Sequence, residues 1–354
     1  MNMLRTTFVA TWLVMLSLAA SAAIDPEVLA SVPVVQDGRL DVATAKGTGV
    51  VPIHVSRDWT QPQPGVTRAV IVIHGWLRSD LKSGELATAR AGASADDAML
   101  ITPQFLIQAD IDAHHLPDTT LRWGPNDWKL GYDARGPVPI SSFDVLDAIL
   151  TRLADRQLFP HLRTVVVAGH SAGGQFVQRY AAVGHGQGPL LRQGVHLRYV
   201  VANPSSYLYF TSDRPIDINQ RADGMTIACL KANRWGYGFD GGLPSYVSQP
   251  VDPQALERDY LAQDIVYLLG TSDIDPAHHQ LDRSCSAEAQ GATRFDRGTR
   301  YFSYLSSRPH GEWAQRLLEV PGIGHHSPQM LSSACGLAAL FEQDGCTPKP
   351  AADR

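Results

Sequence analysis

A serine hydroxyl attacks a carbonyl only when an imidazole takes its proton, and the imidazolium then needs a carboxylate to orient and stabilise it. The sequence offers such a set in chain order. Ser171 stands in Gly169-His170-Ser171-Ala172-Gly173, two acids stand in Thr271-Ser272-Asp273-Ile274-Asp275-Pro276, and two histidines stand in Pro321-Gly322-Ile323-Gly324-His325-His326. Each group follows a short apolar run. If those runs lie parallel in one sheet, three loop tips meet above one edge, and the serine there can be activated as a nucleophile.

The run before Ser171 is Thr164-Val165-Val166-Val167-Ala168, a β-branched segment of the kind buried in mid-sheet. A helix is expected from Ala172, with Phe176, Val177, Tyr180 and Ala181 on one face and Gly184 closing it in a left-handed cap. Between strand and helix the chain must turn sharply, and a glycine two residues to either side gives room for that turn. The turn aims the Ser171 hydroxyl outward and sets the Ala172 amide, at the helix start, beside it. A second apolar run, Arg68-Ala69-Val70-Ile71-Val72-Ile73, breaks at His74-Gly75-Trp76. The Trp76 amide, paired with that of Ala172, makes a two-donor cradle for an oxyanion, where a single donor is worth about 3 kcal/mol of barrier.

Further strands are expected at Ala98-Met99-Leu100-Ile101-Thr102-Pro103-Gln104-Phe105, Leu197-Arg198-Tyr199-Val200-Val201-Ala202, Ile265-Val266-Tyr267-Leu268-Leu269-Gly270 and Arg316-Leu317-Leu318-Glu319-Val320. Residues 26–64, rich in Pro, Gly, Val and Thr, suggest one or two antiparallel edge strands, with His54 a strand histidine held by a local partner. Ser141 followed by Asp144 caps a helix whose buried stripe is Phe143, Leu146, Ile149, Leu150 and Leu153. From Asn203 regularity stops. About residues 203–260 form a Gly- and Pro-rich insertion carrying Tyr207, Tyr209, Phe210, Trp235, Tyr237, Phe239 and Tyr246. Those rings either line a substrate cleft or form a satellite core under the loops.

The 354 residues are 44% hydrophobic and 18% charged, enough for one large core. Net charge is -5 and the basic residues are scattered, which argues against a nucleic-acid partner. Residues 1–23 have the form of a signal peptide: Arg5, an apolar stretch over 8–20, then Ala20-Ser21-Ala22 or Ser21-Ala22-Ala23 as a cleavage site. The stretch is short for a bilayer span, so the expectation is export, periplasmic or secreted, with no stable membrane anchor. An even count of four cysteines in an exported chain favours disulfides. We expect Cys229 with Cys285, clamping the insertion, and Cys335 with Cys346, flanking one helix and turn. Their spacing fits no zinc pattern, and the adjacent His114 and His115 lack a third ligand, so no metal or cofactor is called for.

Taken together, His74-Gly75-Trp76, Gly169-His170-Ser171-Ala172-Gly173, Gly270-Thr271-Ser272-Asp273 and Gly322-Ile323-Gly324-His325 resemble the α/β-hydrolase superfamily over nearly the whole of residues 24–354. The resemblance implies an α/β fold with a mostly parallel central sheet flanked by helices and a loop-rich, cap-like insertion. It implies Ser171 as nucleophile, His325 as general base and acid, Asp273 as its orienter, and the Trp76 and Ala172 amides as oxyanion donors. Asp275 and His326 stand close enough to take the acid and base roles instead. A serine at the elbow implies an esterase or lipase-like enzyme acting on a small-molecule or polymeric ester. An amidase or peptidase would use the same triad, and a catalytically silent binding protein on this scaffold is the alternative of another class. The segment from His278 and His279 to Arg300 carries no assignable role, and both histidines read as loop surface.

Overall fold

In the computed structural model, which describes residues 25–215, 229, 232–309, 311 and 313–348, the apolar runs pair into a single sheet. The expected leader at 1–23 and part of the expected insertion lie outside the described residues. In chain order the strands are β1 (Arg39–Thr44), β2 (Gly47–Val55), β3 (Arg68–Ile73), β4 (Ala98–Pro103), β5 (Thr164–His170), β6 (His196–Ala202), β7 (Asp264–Gly270) and β8 (Arg316–Val320). Their spatial order is β1-β2-β4-β3-β5-β6-β7-β8. The β1–β2 and β2–β4 pairings are antiparallel, and the pairs joining β4, β3, β5, β6, β7 and β8 are parallel. The carboxyl ends of β3, β5, β6, β7 and β8 therefore open toward one edge, where loops of an open α/β sheet gather.

Both faces of the sheet are covered, which is why its central strands are apolar without alternation. On β5, Val165 and Val167 enter one core while Val166 and Ala168 enter the other. Six helices of eight or more residues occur among the described residues: α1 (Ser83–Ala91), α2 (Ser142–Leu153), α3 (Ala172–Val183), α4 (Pro253–Leu261), α5 (Arg294–Ser306) and α6 (Ala334–Phe341). The first core takes its helical share from α2, α3, α4 and α5, and the second takes Ala87 and Ala91 of α1 with Leu337 and Leu340 of α6.

Helix α2 starts as its sequence requires. The Ser141 hydroxyl accepts the Phe143 amide at 3.0 Å and the Asp144 carboxylate accepts the Ser141 amide at 2.9 Å, a cap worth about 1 kcal/mol. Helix α3 is buried on every face rather than on one. Its end corrects the sequence expectation: Gly184 has φ -65° and ψ 145°, an extended conformation and not a left-handed one. Glycine is needed there for space, since a Cβ would sit 2.7 Å from both a ring carbon and the carbonyl oxygen of Tyr180.

Disulfides join Cys229 to Cys285 and Cys335 to Cys346. The described parts of 203–252 contain no helix or strand. Their rings do both things the sequence left open. Tyr207 stacks on Tyr301 of α5 with centroids 4.5 Å apart and Phe210 lies 5.1 Å from Tyr260 of α4, while Trp235 and Tyr237 line a cavity. His54 bonds Asp37 at 2.5 Å and His114 bonds the Val32 carbonyl at 2.8 Å, so both have local partners. No helix among the described residues is long and apolar enough to cross a membrane.

Candidate active site

Ser171 sits between β5 and α3 with φ 57° and ψ -119°, a backbone region a non-glycine residue occupies at a cost of about 1–3 kcal/mol. The neighbouring glycines let the surroundings hold it there. A Cβ on Gly169 would lie 2.3 Å from the Gly173 carbonyl, and one on Gly173 would lie 2.2 Å from the Ile73 carbonyl at the end of β3. The first contact closes the turn on itself, and the second brings the start of α3 against the loop after β3. The Ser171 amide donates to the Ala202 carbonyl at 2.9 Å, anchoring the turn to β6.

The acid and base loops reach Ser171 as a joined pair. The Thr271 amide donates to the Val320 carbonyl and the Ser272 amide to the Ile323 carbonyl, each at 3.0 Å, and the Gly322 amide donates to the Thr271 hydroxyl at 2.9 Å. Gly270 permits the approach, because a Cβ there would come within 2.3 Å of the Ile323 oxygen. His325 Nε2 then lies 2.9 Å from Ser171 Oγ, and His325 Nδ1 lies 2.8 Å from Asp273 Oδ2. The other two candidates do local work. His326 accepts the Gln329 amide as the cap of a short helix, and Asp275 accepts the Ala277 amide in an exposed turn.

Burial disfavours the charged form at both ends of this chain. It pushes the Asp273 carboxyl above its ordinary value, with the Arg294 guanidinium, 3.3 Å away, the main opposing influence. It holds the His325 imidazole far below its ordinary value, and the positive neighbours Arg294, His278 and His279 lower it further. The imidazole therefore rests neutral, able to accept the serine proton.

On the other side of Ser171 the loop after β3 is fixed by His74. Its Nε2 accepts the Phe105 amide at 2.9 Å, which leaves Nδ1–H to donate to the Gly75 carbonyl at 2.8 Å. Burial depresses His74 to about 4, so it stays neutral. The Arg78 amide also donates to the Gly75 carbonyl, at 3.1 Å. In a trans peptide the N–H points opposite the C=O, so pinning the Gly75 oxygen turns the Trp76 amide away from His74. Among the described residues neither the Trp76 nor the Ala172 amide has a hydrogen-bond acceptor, and both residues line the cavity that reaches Ser171.

No family model matches the sequence, and no curated protein matches it. Solved structures do. The LpqC poly(3-hydroxybutyrate) depolymerase of Bordetella parapertussis superposes with a TM-score of 0.56 at 21% identity, covering 87% of this chain and 92% of that one. Poly(aspartic acid) hydrolase-1 of Sphingomonas sp. KT-1 gives 0.54 at 22% identity, covering 86% and 98%. This is the α/β-hydrolase fold.

Within that α/β-hydrolase frame, several residues near the site carried no sequence signal. Arg294, fully buried on α5, donates to Asp273 Oδ1 and to Ser205 Oγ. Asn203, at φ 40°, accepts the Gly270 amide at 2.9 Å and so ties the end of β6 to the end of β7. His278 corrects the expectation of a surface residue: half-buried, it packs edge-on against His325 with centroids 5.2 Å apart. His279 is exposed, as expected. Only the spacing of these residues from each other in space reveals them, and their spacing in sequence does not.

Two cavities meet at Ser171. The larger, about 630 Å³, is walled by Trp76, Lys129, Ala172, Arg179, Trp235 and Tyr237 among others; the smaller, about 300 Å³, is walled by Trp76, His170, His325 and His326 among others. Gln280 borders both.

Proposed function

We propose that the protein is an exported serine hydrolase that cleaves carboxylic esters through an acyl-enzyme on Ser171. The observation that carries this reading is the unbroken chain Ser171 Oγ, His325 Nε2, His325 Nδ1, Asp273 Oδ2, with contacts of 2.9 and 2.8 Å. Ser171 Oγ attacks the ester carbonyl as its proton passes to His325 Nε2. The negative charge that develops on the carbonyl oxygen is met by the amides of Trp76 and Ala172. The imidazolium, steadied by Asp273, gives its proton to the departing alkoxide, and an alcohol leaves. Water then loses a proton to His325 and attacks the acyl-enzyme, which releases the acid and restores the Ser171 hydroxyl.

Both neighbours in fold are hydrolases in name, a depolymerase and a poly(aspartic acid) hydrolase, and hydrolysis of an acyl bond suits the same set of groups. Two disulfides favour an oxidising compartment, in line with the signal-peptide form of residues 1–23. The irregular residues of the insertion act as the cover of the larger cavity, through Trp235 and Tyr237.

The test is Ser171→Ala. Turnover of p-nitrophenyl esters falls to the uncatalysed rate while the thermal unfolding curve stays in place, and a fluorophosphonate probe labels the wild type but not the variant. Turnover retained by the variant would remove the serine from the mechanism. An unlabelled, folded wild type would favour a silent binding protein, and rates on matched ester and amide pairs separate those two activities.

A further inference from the structure

The larger cavity is lined by two cations that have no carboxylate partner within ion-pair distance among the described residues. Lys129 lines it, and its ammonium stands over the Trp76 indole, 5.3 Å from the ring centroid. Among the described residues it has no hydrogen-bond partner and no carboxylate within 4.0 Å, the limit for an ion pair. Arg179, 1% exposed on α3, lines the same cavity and also lacks a carboxylate within that limit. Its guanidinium donates to neutral oxygens only: the Lys129 carbonyl at 3.2 Å, the Gly236 carbonyl at 2.7 Å and Ser206 Oγ at 3.2 Å. Two carboxylates also border the cavity. Asp282 is engaged by the Tyr237 hydroxyl at 2.7 Å, Asp25 by the Glu27 amide at 3.0 Å, and exposed Arg283 adds a third cation beside them.

A cation taken out of water without a partner is costly, and three of the other buried arginines are ion-paired: Arg78 with Asp110 at 3.0 Å, Arg198 with Asp264 at 2.7 Å and Arg294 with Asp273 at 3.3 Å. Arg297, like Arg179, is held by neutral oxygens, the carbonyls of Gly291, Ser205 and Asp282. Lys129 is the group left with nothing to hold, at the wall of a cavity that opens on the candidate nucleophile.

The direction of proton transfer says which part of an ester meets it. The departing oxygen must take its proton from His325, which borders the smaller cavity and not the larger. The leaving alcohol therefore occupies the smaller cavity, and the acyl group extends into the larger one. We propose that the acyl pocket selects an acyl group bearing its own carboxylate, a monoester of a dicarboxylic acid, with Lys129 as the ion-pairing residue and Arg179 supplying positive potential behind it. This inference rests on the ester-hydrolase reading. Burial lowers the Lys129 ammonium to about 8, opposed by Asp282 and reinforced by Arg179, so it is charged at neutral pH and loses its proton just above.

The experiment compares monomethyl adipate with methyl hexanoate, esters of matched chain length, by titrating released acid. The wild type prefers the anionic ester by at least about tenfold in kcat/KM, since a site built to pair with a group rejects the analogue lacking it. In Lys129→Met that ratio drops about tenfold, in Lys129→Arg most of it remains, and in the wild type it declines as pH rises through about 8. Turnover of both esters with no preference, or a preference that survives Lys129→Met, overturns the inference and leaves the hydrolase reading standing. No turnover of either ester and no fluorophosphonate label on folded protein removes the hydrolase reading, and this inference with it.

Discussion

The two loop systems that flank Ser171 are held by different means. On the proton-transfer side, the loops carrying Asp273 and His325 are stitched together by backbone bonds at 3.0 Å, and an arginine stands against the carboxylate itself. On the oxyanion side the frame is uncharged where it touches the Gly75 carbonyl, a neutral His74, and its ion pair, Arg78 with Asp110, is fully buried one layer back. That arginine also ties residues 28–30 to this loop, since Arg78 donates to the carbonyls of Val28 and Ala30. The contrast suits the work that the proposed mechanism assigns to each side. Groups that gain and lose a proton need a field tuned at the titrating atoms, whereas an amide that only receives a developing charge needs a fixed direction.

If that division is right, substitutions on the two sides fail in different ways. The largest effect is expected from Asp273→Asn, which removes the charge facing His325 and favours the wrong tautomer. Turnover falls by about ten-thousand-fold at neutral pH, measured as kcat on a p-nitrophenyl ester, with phosphonate labelling slowed in parallel. His74→Phe is next: with the Gly75 carbonyl released, the Trp76 amide loses its aim and kcat falls by about a hundredfold with KM little changed. It also leaves the Phe105 amide unsatisfied, costing about 1–3 kcal/mol in denaturant unfolding. A loss confined to KM would mean that the loop binds substrate and does not meet the oxyanion.

The smallest effect is on pH dependence. His325 is held below its ordinary value, so its neutral form persists to lower pH and the acid limb of kcat/KM lies below that of a free imidazole near 6.5. His278→Asn removes a positive neighbour and admits water, and both changes raise the His325 value. The acid limb therefore moves to higher pH, by less than about one unit, while the proton inventory of the oxyanion side is untouched. A limb that moves to lower pH, or moves equally in His74→Phe, would erase the distinction between the two sides.

Much of this architecture could be read from local pattern. Unbroken apolar runs such as residues 164–168 mark strands covered on both faces, and Ser141 with Asp144 marks the start of α2, because these signals depend on neighbours in sequence. Gly184 misled because glycine answers to two demands, positive φ and lack of space, and only the position of Tyr180 tells them apart. His278 misled because a histidine in an irregular, polar segment carries no periodicity to say which way it faces.

What the sequence determined alone was the order serine, acid, histidine, each after a strand, and the glycines that let those turns close, since steric room at a turn is a property of the residue itself. What the tertiary structure decided was which of two neighbouring acids and two adjacent histidines turns inward, that Arg294 backs the acid, and that Lys129 and Arg179 line one cavity with neither of them ion-paired among the described residues. Those outcomes depend on the directions of side chains from segments 21 to 154 residues apart in the chain. Burial then magnifies each charge that the packing leaves unpaired, and no local pattern records where that happens.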